Sequence, residues 1–294
     1  MSFPRCRLLP GLAVVVLVIA GCGDDPVATA PRVVDRCRLP GTAGAGTGER
    51  VVVDGARERT VLVARPDPAT GPTPTVVALH GHGGRAADFE ATTGLARTGT
   101  TRGVTVVTPQ AEGDPRRWNF DRRPDGADDF AFVAALVDDL IDGGCAEEDR
   151  VFVVGSSNGA AFAGFLACAP PYRFAAVAMV IATVPSGCPT DVTPSILTIR
   201  GTADDHVRYP GTPEMVAGDA AHHGCGAEPE AAAPRAGVER LRWTGCRGGS
   251  EVELLTVVGG THTWPGGTAA TAPADRALSA TDAVLDLFVR TGAS

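Results

Sequence analysis

The chain alternates short β-branched runs with stretches of helical spacing, and that alternation limits the folds open to it. Buried-looking runs lie at Thr75–Leu79, Val104–Thr108, Val151–Val154, Ala175–Ile181, Ile196–Arg200 and Val252–Val258. Between them Phe130, Val133, Val137, Leu140 and Ile141 recur at helical spacing, and Ala274–Val289 makes a closing helix. Arg50–Asp54 and Thr60–Ala64, separated by Gly55, predict a hairpin. Strands alternating with helices imply an α/β domain with a mostly parallel sheet covered on both faces. No internal repeat or second domain is evident.

Composition narrows the function. The 294 residues carry a formal charge of -8, which disfavours binding to a phosphate backbone, so no nucleic-acid partner is expected. All 26 basic residues are Arg. Without Lys there is no P-loop lysine, no Ser-Lys dyad and no Schiff-base amine.

The N-terminus reads as a targeting device. Arg5 and Arg7 precede the apolar run 12–20, followed by Gly21-Cys22. That run is shorter than the roughly 20 residues a spanning helix needs, so residues 1–21 read as a signal peptide. Ile19-Ala20-Gly21-Cys22 resembles the lipobox of bacterial lipoproteins, which implies lipid on Cys22, a membrane surface as partner and an extracellular location. Residues 22–48, rich in Gly, Ala, Pro and Thr, read as a tether. The catalytic domain is expected over 49–294.

Cysteine usage agrees with export. Cys37, Cys145, Cys168, Cys188, Cys225 and Cys246 form an even set, suited to disulfides in an oxidising compartment. Short loop closure favours Cys168–Cys188 and Cys225–Cys246, leaving Cys37–Cys145. A zinc site at His222, His223 and Cys225 is the alternative, though it lacks a matched second half; no metal and no cofactor are expected.

The chemistry gathers at strand ends. Gly155-Ser156-Ser157-Asn158-Gly159 is a G-x-S-x-G sequence between a strand and a helix, the setting of a nucleophile elbow with Ser157 at its centre. Two serines and two glycines could also make a simple turn. Two later segments favour the elbow: Asp204 and Asp205 come after the 196–200 strand and His262 after the 252–258 strand, in the chain order such enzymes require. His80-Gly81-His82-Gly83-Gly84 follows the 75–79 strand, where an oxyanion donor is expected.

The set LHGHGG, GSSNG, GTADDHVRY and GGTHTWPGG resembles esterases related to polyhydroxybutyrate depolymerases and feruloyl esterases, within the α/β-hydrolases, over about residues 50–290. Trp118-Asn119 and Asp128-Asp129 also stand where those esterases have similar residues. The resemblance implies an extracellular carboxylic-ester hydrolase acting on a small or oligomeric ester, of hydroxyalkanoate or feruloyl type. It selects Asp204 over Asp205 as the acid beside Ser157 and His262. Ala160 departs from the family, where a second Gly is common. No Thr-rich linker or polymer-binding module follows residue 290, which points away from solid polyester granules.

In that reading the backbone N–H groups of His82 and Asn158 form the oxyanion hole. Trp264 and Trp118 are candidate pocket walls, with packing as the rival role for Trp264. His80 is expected to buttress the oxyanion loop, and His206 to be a solvated loop residue. Arg116, Arg117, Arg122 and Arg123 form either a solvated loop or a receptor for an acidic substrate group. Two rival functions remain: an envelope acyltransferase using the same acyl-enzyme, and a binding lipoprotein that keeps the fold without catalysis.

Overall fold

The computed structural model describes residues 47–54, 57–67, 71–169, 174–184, 188–189 and 191–291. The signal segment, Cys22, Cys37 and the tether up to residue 46 lie outside the described residues. The expected boundary of the tether shifts slightly, since the first strand already begins at Thr47.

Ten strands form one sheet: β1 (Thr47–Asp54), β2 (Arg57–Ala64), β3 (Thr73–Leu79), β4 (Thr105–Pro109), β5 (Ala146–Ser156), β6 (Ala176–Val180), β7 (Ser195–Gly201), β8 (Glu230–Arg235), β9 (Val238–Trp243) and β10 (Val252–Val257). Their order is β1-β2-β4-β3-β5-β6-β7-β10-β9-β8. The six central strands, β4 to β10 in that order, run parallel, and an antiparallel hairpin closes each edge. The β1–β2 hairpin matches the sequence reading.

Helices α1 (Ala86–Thr93), α2 (Leu95–Thr101), α3 (Asp129–Asp142), α4 (Asn158–Ala167), α5 (Thr212–His222) and α6 (Ala280–Thr291) cover the sheet. The alternation inside each central strand shows why its apolar run is continuous. Val77, Leu79 and Val153 join Val133, Leu136, Phe162 and Val216 in one core, which takes in α3, α4 and α5. Val76, Ala78, Phe152 and Val154 join Phe89, Leu95, Val284 and Phe288 in a second, which takes in α1, α2 and α6. Successive side chains point to opposite faces, so a strand buried on both sides has no polar positions to spare. Asp128 starts α3 by accepting from the Ala131 N–H at 3.1 Å.

Two elements differ from expectation. The closing helix begins at Ala280, where Ser279 Oγ accepts from the Asp282 N–H at 3.2 Å. Residues Ala274–Arg276 make a separate single turn instead. The outer hairpin β8–β9 was not anticipated, because β8 reads EAAAPR, poor in strand-forming residues. Its register shifts between Ala232 and Arg235, around Pro234, a residue an edge strand tolerates.

Cys168 is joined to Cys188 and Cys225 to Cys246. Cys145 is also disulfide-bonded, while Cys37, expected as its partner, is outside the described residues. With its sulfur bonded to Cys246, Cys225 cannot supply the thiolate that the zinc alternative needed, and His222 Nε2 instead lies 2.7 Å from the Cys188 carbonyl oxygen. Among the described residues no helix is long and apolar enough to cross a membrane.

Beside the second disulfide, His223 is fully buried, and among the described residues neither ring nitrogen has a hydrogen-bond partner. Burial, together with His222 and Arg247, lowers its pKa to about 4. An unfolded chain would protonate this ring near pH 6.5. Stability from His223 is therefore intact above pH 6.5 and lost as pH falls toward 4, at a cost of order 3 kcal/mol. Urea unfolding of wild type and His223→Leu between pH 7 and 4 should show a markedly flatter acid loss in the variant.

Candidate active site

Ser157 stands between β5 and α4 with φ 54° and ψ -115°, a region that non-glycine residues rarely occupy. The turn is tight because three backbones cross there. A Cβ at Gly155 would lie 2.1 Å from the Gly159 carbonyl oxygen, and one at Gly159 would lie 2.3 Å from that of Leu79. Neither contact is possible, so both glycines are obligatory. The Ser157 N–H donates to the Val180 carbonyl at 3.0 Å, tying the turn to β6. This presents the Ser157 side chain above the carboxyl ends of the parallel strands, where open α/β sheets place their ligands.

Two further loops reach the same point from β7 and β10. His262 Nε2 is 2.9 Å from Ser157 Oγ. His262 Nδ1 is 3.0 Å from Asp204 Oδ1 and 2.9 Å from Oδ2. Because a carboxylate only accepts, the ring proton belongs on Nδ1, and the Nε2 lone pair faces the serine hydroxyl. The Asp204 side chain is wholly buried and also accepts from the N–H groups of His206 at 3.0 Å and Val207 at 2.9 Å. Asp205 is exposed, and its carboxylate pairs with the His206 ring instead. Geometry thus separates the two aspartates that the sequence offered.

Close packing sets the spacing of these loops. A Cβ at Gly201 would lie 2.3 Å from the Gly260 carbonyl oxygen, and Ala203 donates to that oxygen at 2.9 Å. Asp275 clamps the other side: its carboxylate accepts from the Thr261 N–H and hydroxyl, each at 2.7 Å. Arg200, buried at the end of β7, donates to the Val207 and Arg208 carbonyls. Sequence reasoning did not single out Asp275 or Arg200; a lone Asp in a presumed helix and a lone Arg in a strand carry no motif.

The loop after β3 lies against the elbow, since a Cβ at Gly81 would come 3.5 Å from Ser157 Cβ. His80 beneath it is buried, and burial lowers its pKa, with Arg116 and Arg59 adding to the effect against the hydrogen bond to Gly81. Its Nε2 accepts from the Ala111 N–H at 3.0 Å, so Nδ1 carries the proton and donates to the Gly81 carbonyl at 2.8 Å. Gln110, also unnoticed in the sequence, holds the arrangement through His80 Nε2 and the Ala86 N–H. His82 is exposed on this loop. Asn158, the first residue of α4, has an N–H without an intrahelical acceptor. Its side-chain oxygen accepts from the Trp118 N–H at 2.8 Å.

Trp118 corrects the pocket-wall expectation, and for Trp264 the rival role in packing is the one observed. Trp118 is fully buried, stacked on Phe162 at 5.4 Å, with its Nε1 donating to the His80 carbonyl at 2.9 Å. Trp264 is buried edge-on against Phe89 and donates to Thr281 Oγ1 at 3.1 Å. Neither is a pocket wall. Each is a strut beneath the site, because an indole with its N–H satisfied inside the core gains more from burial than from facing solvent.

Of the basic cluster, Arg117 and Arg123 pair with Asp121, and Arg122 lies 3.9 Å over the Phe130 ring. These three are each held by a neighbouring side chain, which weakens the anion-receptor reading. Underneath, Arg59 donates to Asp129 Oδ1 at 2.7 Å while Oδ2 accepts from the Asn119 N–H at 2.7 Å. This pair fixes the loop that carries Trp118.

The mostly parallel sheet covered by helices is the α/β-hydrolase fold, and it brings a hydroxyl, an imidazole and a carboxylate into line on loops at the carboxyl ends of its strands. Residues 59–216, just over half of the chain, match the esterase PHB depolymerase family. NocK from Nocardia uniformis subsp. tsuyamanensis, an esterase by assignment, is 32% identical over 95% of this chain and 97% of its own length. The chain belongs to this family and is a carboxylic ester hydrolase. Feruloyl esterase B from Piromyces equi is 26% identical over 69% of the chain, which spans 42% of that protein. The acetyl xylan esterase from Aspergillus awamori shares the fold, with a TM-score of 0.60, at 18% identity over 79% of this chain and 94% of that one.

Asp129→Ala should lower stability by about 3 kcal/mol, because it removes a buried carboxylate used by both the Arg59 guanidinium and the Asn119 N–H. It should also slow ester hydrolysis by freeing the Trp118 loop. Urea unfolding and steady-state rates on the same preparation check both effects.

Proposed function

We propose that the protein is an exported serine esterase in which Ser157, His262 and Asp204 form the catalytic triad. The observation that carries this reading is the unbroken line from Ser157 Oγ through His262 to the buried Asp204 carboxylate, with both links at hydrogen-bond distance. Ser157 Oγ attacks the ester carbonyl carbon while His262 Nε2 takes its proton. Asp204 holds the Nδ1–H tautomer and stabilises the imidazolium. Backbone N–H groups of Asn158 and His82 receive the developing oxyanion. The imidazolium then protonates the leaving alcohol, and water activated by the same ring releases the acid from the acyl-enzyme.

The proposed substrates are small or oligomeric carboxylic esters with a hydroxyalkanoate or feruloyl-type acyl group. The motif resemblance and the names borne by the family and by the Piromyces equi relative support that choice. Export with a lipid anchor on Cys22 is proposed from the Ile19–Cys22 sequence, and the two described disulfides suit an oxidising compartment. The domain arrangement that goes with it is a signal over 1–21, a tether ending near residue 46, and one catalytic domain.

Purified wild type, Ser157→Ala and Asp204→Asn, assayed on p-nitrophenyl acetate, butyrate and octanoate, methyl ferulate and a soluble 3-hydroxybutyrate oligomer, test the reading. Ser157→Ala should abolish turnover to background, and Asp204→Asn should lower kcat by about 10⁴-fold through the wrong tautomer. Retained hydrolysis in Ser157→Ala would refute the nucleophile. A folded wild type inert on the whole panel would favour acyl transfer or ligand binding instead.

A further inference from the structure

One contact at the site is unused by the triad mechanism. The His206 ring lies over the His262 ring with centroids 4.9 Å apart and planes 19° from parallel. His206 is no core residue, since its side chain is 70% exposed. Its place over His262 is a contact of the site itself. Position 206 also touches the acid, because its N–H donates to Asp204 Oδ1 at 3.0 Å. The other face of the arrangement is Asp205, whose Oδ1 lies 2.7 Å from His206 Nδ1.

We propose that His206 is a positioning residue for His262: its ring caps the open face of the reacting imidazole, and with Asp205 it balances the charge that face meets. The proposal rests on the triad reading. Physically the cap does two things. A stacked ring narrows the rotation of an imidazole that has only two side-chain torsions and must align with both Ser157 and Asp204. A neutral His206 donates Nδ1–H to the Asp205 carboxylate, and its π face, made more electron-rich by that bond, attracts the imidazolium formed during turnover.

Charge around His262 gives the second readout. The groups that face this pair are Asp204 and Asp205 on the same loop, Ser157 on the elbow, and Arg200 of β7, whose charge acts on Asp204. The Asp205 carboxylate also feels the charge of His262. Without the His206 ring its attraction for the imidazolium is lost, so His206→Ala favours the neutral form of His262. The acid limb of activity should then move to lower pH.

The test uses full-length His206→Ala and His206→Phe beside wild type. His206→Ala should lower kcat about 3- to 5-fold with KM changed less than twofold, the range expected for an exposed cation–aromatic contact. His206→Phe, which keeps a ring but not a charge, should recover most of that loss. His206→Ala should lower the acid limb of kcat/KM by roughly 0.3 to 0.5 pH unit, and His206→Phe by less. Titration of the His262 ring by NMR should move by the same amount and needs no turnover. An unchanged kcat in His206→Ala, a His206→Phe no better than Ala, or a His262 titration unmoved in both variants would each overturn the proposal. Hydrolysis surviving in Ser157→Ala marks failure of the triad reading instead, and the NMR shift then judges the ring contact by itself.

Discussion

The site depends on a backbone crossing. β5 delivers the chain to Ser157 in a conformation that L-residues avoid, and α4 leaves it so close to β3 that Gly159 nearly touches the Leu79 carbonyl. A strained turn of this kind persists only when its surroundings over-determine it. Here they do: the β3–β5 and β5–β6 pairings fix the strand before the turn, the Ser157 N–H is tied to β6, and eight of the ten residues of α4 are buried. The cost of the turn is met by the parallel sheet and both cores. In return the serine hydroxyl stands clear of its own helix, and the first N–H of α4 is left open beside it.

The other two groups reach the serine because β7 and β10 are adjacent in the sheet and paired in register up to Gly201 and Val257. Loops leaving neighbouring parallel strands at the same level need only a few residues to bring Asp204 to His262. The Gly201 and Gly260 contact sets how closely those loops approach. Asp275 and Arg200 then fix each loop from outside, one through a carboxylate on Thr261 and the other through a guanidinium on two carbonyls. Both groups are buried, so their bonds are exposed to little competition from water.

Much of this was legible in the residues. The two-face burial of β3 and β5 follows from runs such as VVAL and VFVV, where every position is apolar. The elbow, acid and histidine loops were legible because each carries a glycine beside the functional residue, and glycine marks close backbone approach. The supports were not. Gln110, Arg59 and Asp275 act through partners distant in sequence, as Arg59 and Asp129 do across 70 positions, and Arg200 acts through main-chain carbonyls that no side-chain pattern marks. Nothing local distinguishes them from solvated polar residues. The tryptophans failed for the opposite reason: an aromatic beside a motif reads as a pocket wall, yet both indole N–H groups find partners in the core. The β8–β9 hairpin was missed because β8 is held by its neighbour rather than by its own propensity.

Three histidines near the serine illustrate how environment assigns roles to one side-chain type. His80 is buried, its ionisation suppressed by burial and by two nearby arginines, and both its ring nitrogens are occupied by neighbours of fixed role. It holds the loop after β3 as a neutral part, whose geometry does not change with pH across the range where esters are hydrolysed. His262 has the contrary surroundings: a carboxylate at one nitrogen, a hydroxyl at the other, and a side chain left 17% exposed. His206 sits largely in solvent, paired with a carboxylate of its own and stacked on the His262 ring. Of the three rings, His262 is the one placed between a hydroxyl and a carboxylate, and the three pass from the core at His80 to solvent at His206.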